Sequence, residues 1–286
     1  MSTLTSTTSA TRPTLGAGDV GKSYFETDSN KILVWDGTGW NEWNPDLTIG
    51  PGFQNNYTTA LDGTNQYLTV PSSTDFDFGT GDFSFTFWMR ITSRATYGGL
   101  VTKDSPNRLK FQAADHVINI RMDNTEYAVI TYNPGGTNTS LLNSWHHIAV
   151  IRTGTSLKGY VDNVEYGSHT ATQSFSLNGQ QWGNNLGQYI GGQLDEIAIF
   201  DRALSSAERT EIYNNGASFD IESSYTGADA PLAFYRCGDD DDDTDSGGGA
   251  VDNGDTIGTI KNVVNPGTHD MGQVNGATYS NANSPV

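Results

Sequence analysis

The residues best able to do chemistry in this sequence are its carboxylates. There are 33 Asp and Glu residues against 15 Lys and Arg, a formal net charge of −18, and the aspartates of Asp239–Asp243 are consecutive. Carboxylate oxygens are ligands for Ca²⁺, but this run lacks the alternating donors and glycine of a shaped calcium loop. Because like charges in a block repel one another, the run is predicted to be a solvated loop.

Other groups that commonly carry chemistry are sparse. His146 and His147 are adjacent, and neighbouring side chains of a strand point to opposite faces, so the two cannot chelate one metal together. Cys237 is the one cysteine, which excludes an intrachain disulfide and favours folding in a reducing cytoplasm. The sequence contains no phosphate-binding glycine motif and no recognisable nucleophilic-cysteine context.

The acidic balance limits the classes of partner. Phosphate binding needs clustered cations, so nucleic acid and anionic membranes are not expected as partners. No apolar run reaches the roughly 18 residues that membrane insertion requires. The first residues lack the cationic and apolar regions of a secretory signal.

The elements that position these groups are predicted to be strands. In Trp145–Tyr166, period-2 alternation places Ala149 and Ile151 on one face and Ile148 and Val150 on the other, which is typical of a central strand covered on both sides. A tight turn is predicted at its Asp-Asn pair. Further strands are predicted at Gln66–Val70, Phe83–Ile91, Gly99–Lys103, Arg108–Gln112, Val117–Met122, Tyr127–Tyr132, Ser156–Val161 and Glu196–Phe200.

One helical stretch is predicted, at Asp201–Asn215. Ser205 is its expected N-cap, and Glu208 stands three residues later, at the spacing of a capping box.

The middle of the chain resembles a known family. The segments LDGTNQYLTV, FDFGTGDFSFTFWMR, WHHIAVIRTGTSLKGYVDNVE and GGQLDEIAIFDRALSSAERTEIYNNG, within Tyr57–Gly216, are similar in order and content to laminin-G-like domains of the concanavalin A-like lectin/glucanase superfamily. The resemblance implies an all-β fold: an antiparallel jelly-roll sandwich. It does not imply a particular ligand.

The two ends have their own character. Three short strands, Lys22–Thr27, Lys31–Trp35 and Trp40–Trp43, predict a small β-meander after a Ser/Thr-rich segment that would be disordered alone. The motif resembles modules near the ends of bacteriophage virion and tail proteins, which implies an attachment element; the alternative is a hairpin of the main domain. The aromatic residues expected to serve attachment are Tyr24, Phe25, Trp35, Trp40 and Trp43.

These features predict three segments. They are an attachment segment at 1–49, the laminin-G-like sandwich at 50–218 and an acidic C-terminal β extension at 219–286. The last resembles a piece that accompanies laminin-G-like units in phage-related proteins, and we expect it to add strands to a sheet edge or to pair with a neighbouring chain.

Hydrolysis is not expected. Glycoside hydrolases of this superfamily carry two carboxylates on one strand, one as nucleophile and one as acid. By that resemblance, Gln193 stands at the nucleophile position and Ile197 or Ala198 at the acid position. An amide cannot attack the sugar, and an aliphatic side chain cannot donate a proton.

Two kinds of binding residue are expected from the resemblance and the loops. Asp195 is the first candidate ligand for a structural Ca²⁺ and Asp62 the second; the alternative is that Asp195 caps the turn before the final strand. Sugar binding needs exposed aromatic faces. The candidates in Gly/Asn-rich segments are Tyr97, Tyr132, Trp182 and Tyr189, with core packing as the alternative for each.

The leading hypothesis is a non-enzymatic structural protein of a phage virion, made in the host cytoplasm and exposed on the particle as a tail fibre, spike or capsid decoration. Its expected partners are other virion proteins and host-surface glycans, with homo-oligomerisation left open. The alternative is a carbohydrate-binding adhesin, and a glycan hydrolase ranks third.

Overall fold

The chain forms two compact units, Met1–Gln54 and Asn55–Val286. The computed structural model describes residues 5–7, 13–14, 23–26, 31–35, 40–43, 55–104, 106–221, 225–227, 229–281 and 285. The acidic C-terminal segment belongs to the second unit, together with the middle of the chain.

The described part of the first unit contains one sheet. Its strands, in the order β1-β2-β3-β4, are Thr5–Thr7, Ser23–Glu26, Lys31–Trp35 and Trp40–Trp43. Strands β2 to β4 pair antiparallel, as the predicted meander requires. Strand β1 pairs parallel with β2, so part of the segment predicted to be disordered alone is ordered by backbone pairing. Leu33 is buried and Trp35 half-buried; the side chains of Tyr24, Phe25, Trp40 and Trp43 lie outside the described residues.

The second unit is an antiparallel β-sandwich, as predicted. Sheet I has the order β14-β13-β12-β7-β17-β5-β22, with β18 also paired to β17, and sheet II has the order β11-β10-β9-β8-β15-β6-β21-β20-β19. The strands are β5 Thr58–Asp62, β6 Tyr67–Thr69, β7 Phe83–Arg94, β8 Gly99–Thr102, β9 Arg108–Phe111, β10 Val117–Met122, β11 Thr125–Thr131, β12 His146–Thr153, β13 Ser156–Val161, β14 Val164–Thr170, β15 Gln181–Trp182, β16 Asn184–Asn185, β17 Gln188–Phe200, β18 Ala233–Tyr235, β19 Thr244–Asp245, β20 Ile257–Ile260, β21 Met271–Val274 and β22 Thr278–Ser280.

Strand β12 is buried on both faces. Ile148 and Val150 belong to the main core between the sheets, whereas Ala149 and Ile151 belong to a second core on the other face of sheet I. The turn after β13 has positive φ at Asp162 (51°) and Asn163 (66°), the conformation that a two-residue hairpin turn needs. The prediction of a central hairpin strand is confirmed.

The second core is covered by the helix α1, Ser206–Tyr213. The Ser205 side chain accepts from the Glu208 N–H while the Glu208 carboxylate accepts from the Ser205 N–H. The predicted capping box is therefore confirmed. No helix within the described residues is both long and apolar enough to cross a membrane.

Strand β17 is longer than predicted, since it begins at Gln188 rather than near Glu196. Its glycine pair suggests a break in the sequence, but the glycines are needed because neighbouring backbones come close. A Cβ at Gly191 would lie 2.4 Å from Ser93 Oγ, and one at Gly192 would lie 2.2 Å from the Arg90 carbonyl oxygen. Pairing with β7 and β5 overrides the weak strand propensity of glycine.

The C-terminal segment adds strands to both sheets, as expected. Strand β22 pairs with β5, β21 pairs with β6, and β18 pairs with β17. The prediction of a solvated aspartate run is wrong for its last member, because Asp243 is only 2% exposed. Its carboxylate accepts from the backbone N–H groups of Gly238 and Lys261, which link β18 to β20.

Two substitutions in the central hairpin test the two-sided burial. Val150→Ala removes methyl groups from the core, where Val150 is 0% exposed, and should lower the free energy of unfolding by about 2 kcal/mol. Val164→Ala makes the same chemical change at a side chain that is 53% exposed, and should cost less than about 1 kcal/mol. Urea unfolding gives both values, and equal losses would contradict the described packing.

Candidate functional site

A row of polar side chains crosses the outer face of sheet II. Directly paired residues of antiparallel strands point to the same face, and the alternating residues, such as Leu109, Ile120 and Val101, lie in the core. The paired positions of this row are Arg121, Arg108, Thr102, Gln181 and Thr69, one from each of β10, β9, β8, β15 and β6.

A second, shorter row lies beside the first. Asn119 pairs with Lys110, and Lys110 pairs with Gly99. We call the two rows together the polar floor. It is more buried than an outer sheet face usually is: Thr102 is 1% exposed, Asn119 4%, Lys110 6% and Arg108 8%.

Glu126 is the acidic partner of this floor. It pairs with Arg121 in β11, and its carboxylate lies 3.0 Å from Lys110 Nζ and 3.8 Å from Arg108 Nη2. Burial by itself would raise the pKa of Glu126. Hydrogen bonding to Lys110, its charge and the Asn119 amide outweigh that effect, so the pKa is lowered and the carboxylate stays ionised.

The turn between β16 and β17 forms a wall at the floor's edge. A Cβ at Gly99 would lie 2.2 Å from the Asn184 carbonyl carbon, so only glycine lets this turn approach the sheet. Asn184 Nδ2 donates to Gln181 Oε1 at 2.8 Å, and Asn185 Nδ2 donates to the Tyr97 carbonyl at 2.7 Å. The wall is therefore tied to the floor on one side and to Tyr97 on the other.

Leu186 stands at the tip of this wall. It is 58% exposed and has φ +53°, with Gly187 at +85°. This left-handed conformation favours Asn or Gly and costs a branched side chain about 1 kcal/mol. Such strain is concentrated at functional positions.

Two of the four predicted aromatic residues lie beside the floor. The Tyr97 ring, 37% exposed, covers Lys110 Nζ at 4.7 Å. The Tyr189 ring stacks on Tyr67 at 6.2 Å between centroids, and Tyr67 lies two residues before Thr69 on the same face of β6. The structure thus brings Tyr97 and Tyr189 together with the wall.

The other two aromatic candidates lie elsewhere. Trp182 is 0% exposed, packs edge-on against Phe87, and donates from Nε1 to Gln180 Oε1; its strand alternation turns it into the core, and a buried ring offers no face to a ligand. Tyr132 packs its ring against His146 and Tyr166, away from Tyr97.

The floor residues themselves were missed by sequence reasoning. The signal that could have found them is the alternation of apolar with polar or cationic residues in RLKF and INIRM, which is unusual in a chain with net charge −18. The strands were predicted, but not that their outward positions meet across five strands.

Comparison with known proteins identifies the family. Residues 62–208, about half of the chain, match the family model described as the concanavalin A-like lectin/glucanases superfamily. The chain belongs to this superfamily. No match was found among curated protein sequences.

Solved structures agree on the fold. A provisionally assigned carbohydrate-binding protein of Bacteroides ovatus is similar with a TM-score of 0.59 at 15% identity; the likeness covers 81% of this chain and 61% of that chain. Domain 4 of AbnA, an extracellular arabinanase from Geobacillus stearothermophilus solved with arabinotriose, gives a TM-score of 0.43 at 17% identity over 55% of this chain and 76% of that chain. Mouse laminin α1 domains LG4-5 give 0.40 at 15% identity, over 62% and 52% respectively.

The strand that holds the catalytic carboxylates in hydrolases of this superfamily is different here. Gln193 accepts from Arg90 Nη1 at 3.1 Å and donates to Thr58 Oγ1 at 2.9 Å. It alternates with the core residue Leu194 on β17, so its amide lies on the outer face of sheet I. This stretch is therefore separated from the polar floor by the whole sandwich.

The two predicted calcium ligands do not form one site. Asp62 is exposed, and its Oδ1 accepts from the N–H groups of the turn that follows it. Asp62 pairs with Gly191, and Asp195 lies four residues further along β17, about 13 Å away. Within the described residues, no group of three or more His, Cys, Asp or Glu side chains is arranged to hold a metal ion. Calcium binding stays a prediction.

Asp195 does not cap a turn before the strand, because it lies within β17. Its Oδ1 accepts from the Glu196 N–H at 2.9 Å, while its Oδ2 and Glu196 Oε1 are buried without a hydrogen-bond partner. The strand bulges here, and Glu196 has φ +45°. Burial raises the pKa of Glu196 to about 8, that of Asp243 to about 7 and that of Asp239 to about 6.

These buried carboxyls predict a stability that falls as pH rises. The folded state holds the Glu196 proton more tightly than the unfolded chain does, so stability from this group is complete below pH 4.5 and is lost as pH rises through about 8. Burial lowers the pKa of His147 to about 4, which has the opposite effect but only below pH 6.5.

The free energy of unfolding, measured with urea in the presence of a chelator, should therefore fall by about 1–2 kcal/mol between pH 6.5 and pH 8. Glu196→Gln should flatten this dependence, whereas the control Glu165→Gln, at an exposed position, should leave it unchanged. The same slope in all three proteins would contradict the assignment to Glu196.

Proposed function

We propose that this superfamily member binds carbohydrate at the polar floor of sheet II without hydrolysing it. The carrying observation is the juxtaposition of Tyr97 and the exposed Leu186 with a floor of hydrogen-bonding side chains. A sugar ring presents C–H faces to aromatic or apolar groups and hydroxyls to polar groups, and binding sites combine a few placed polar groups with apolar walls.

The absence of hydrolysis is supported by the chemistry of the carboxylates. Cleavage needs two carboxylates across the scissile bond, one of them protonated. In the two rows of the floor and their ion pairs, Glu126 alone supplies a carboxylate, and its pKa is lowered. On β17, the amide of Gln193 takes the place of the nucleophile.

A glycan array tests this proposal. The purified protein should give reproducible signals, and Tyr97→Ala should weaken them by about threefold to tenfold, because one aromatic contact contributes about 0.5–1.5 kcal/mol. Tyr132→Ala, the same change away from the floor, should have no such effect. Chromatography of the bound oligosaccharide should show no cleavage products.

Equal losses in the two variants would move the site away from the floor, and cleavage of the oligosaccharide would contradict the non-enzymatic assignment. Repeating the array with a chelator tests the predicted calcium at Asp195, since a structural cation near β17 would make binding depend on Ca²⁺.

We further propose that the protein is a phage virion component, in which the first unit attaches the sandwich to the particle and the sandwich contacts host-surface glycans. Two observations support this: the resemblance of the first unit to modules of virion and tail proteins, and its separation from the sandwich as a compact unit with its own sheet. A small sheet of four short strands has little core of its own and gains stability by docking on a larger body.

Negative-stain images of particles made with and without this protein test the virion role. The expected result is the loss of a surface appendage or decoration when the protein is missing, and its return when the full chain is supplied. Return with residues 55–286 alone would contradict an attachment role for the first unit, and identical particles would contradict the virion role.

A further inference from the structure

The polar floor carries a local charge opposite to that of the chain. Arg108, Lys110 and Arg121 bring three positive charges to adjacent paired positions, and Glu126 supplies one negative charge among them. The chain as a whole has 33 acidic and 15 basic residues. Clustering cations on one face of such a chain costs electrostatic energy that nothing in the fold of the strands requires.

The Arg108 guanidinium is the most poorly compensated of the three. The residue is only 8% exposed, its nearest carboxylate oxygen is 3.8 Å away, and its Nε is buried without a hydrogen-bond partner. Burial lowers its pKa, and the neighbouring charge of Arg121 lowers it further. A buried cation with unused donors is stabilised by an anion, because charge-assisted hydrogen bonds satisfy both needs.

Further unpartnered atoms lie around it. Arg121 Nε, Thr102 Oγ1 and Asn119 Oδ1 are all buried and without a hydrogen-bond partner, and these residues occupy neighbouring positions of the same two rows. Buried polar groups are nearly always hydrogen-bonded, so several on one face point to a shared ligand. The set contains donors for carboxylate or sulfate oxygens and an acceptor for a hydroxyl.

We propose that the ligand of the polar floor is an acidic saccharide, one that carries carboxylate or sulfate groups, and that Arg108 and Arg121 select it by binding those groups. This inference rests on the proposed carbohydrate-binding function and names its ligand class. Arg108 and Arg121 are paired neighbours and present two guanidinium forks to one anionic group, which suits the geometry of planar carboxylates and of sulfates. Tyr97 over Lys110 places an apolar ring beside that charge, where the sugar ring itself would lie.

The electrostatics also exclude a simple structural role. If the cations served only to hold Glu126, Lys110 at 3.0 Å would be sufficient, and one carboxylate cannot neutralise three cations. Nucleic acid also carries phosphate, but the strongly negative chain would repel a long polyanion beyond the local face. A short acidic saccharide feels mainly the floor, because salt screens charges beyond about 10 Å.

Isothermal titration with matched oligosaccharides tests the inference. The probes are an oligogalacturonate, its fully methyl-esterified form of equal length, a heparin-derived sulfated oligosaccharide and its desulfated form. The wild-type protein should bind at least one acidic probe about tenfold or more tightly than the neutral form of that probe, and affinity should fall as NaCl is raised. The two acidic probes distinguish carboxylate from sulfate as the recognised group.

The variants locate the selectivity. Arg121→Gln and Arg108→Gln should each reduce the affinity for the acidic probe about tenfold, leave the affinity for the neutral probe within twofold, and weaken the dependence on salt. The control Lys158→Gln removes an equally charged residue of sheet I, which pairs with Glu165 at an exposed position, and should change neither affinity. If the buried Arg108 is needed for folding, as thermal unfolding would reveal, Arg121→Gln carries the test alone.

The outcomes separate the two proposals. Equal affinity for acidic and neutral probes, with loss of both in Tyr97→Ala, overturns the acidic ligand and leaves carbohydrate binding in place. Acidic selectivity that survives both arginine substitutions overturns the role of the floor. No binding of any probe, together with an empty glycan array, overturns both proposals.

Discussion

Close approach of backbones around strand β17 is the constraint on which the rest of the structure depends. The strand pairs with β7, β5, β16 and β18, and neighbouring atoms would lie within 2.4 Å of any Cβ at Gly191 or Gly192. A third glycine, Gly99, lets the turn that precedes β17 lie against sheet II. Because these positions lack a side chain, one strand both completes sheet I and supplies the wall of the polar floor on the other sheet.

Burial has opposite consequences for the two charged regions of the sandwich. Near the bulge in β17, burial raises the pKa of Glu196 to about 8 and that of Asp243 to about 7, so these groups can take up protons and lose their charge near neutral pH. Arginine has no such route, because its guanidinium stays protonated at any physiological pH. The buried acids therefore become quiet, whereas the floor keeps a positive charge that only a partner anion can offset.

Most of the sandwich could be predicted from the sequence, and about half of the predicted sugar-facing residues lie together. The alternation around Val150 and the capping box at Ser205 are local patterns, and both are confirmed. Tyr97 and Tyr189 were chosen because they lie in Gly/Asn-rich segments, and the structure places both beside the wall. Trp182 fits the same local description but lies in the core, because its two-residue strand inserts between β8 and β6.

What the sequence by itself determined is which residues alternate: apolar against polar along each strand, with caps and turns between strands. Alternation divides the residues of a strand into two faces, and that division is local because neighbouring side chains point in opposite directions. Which strands lie side by side was decided only by the tertiary structure. Gln181 lies between Thr102 and Thr69 across the sheet although they are far apart in the chain. The polar floor exists only once hydrophobic burial has set that order and register, since no single strand contains more than two of its residues.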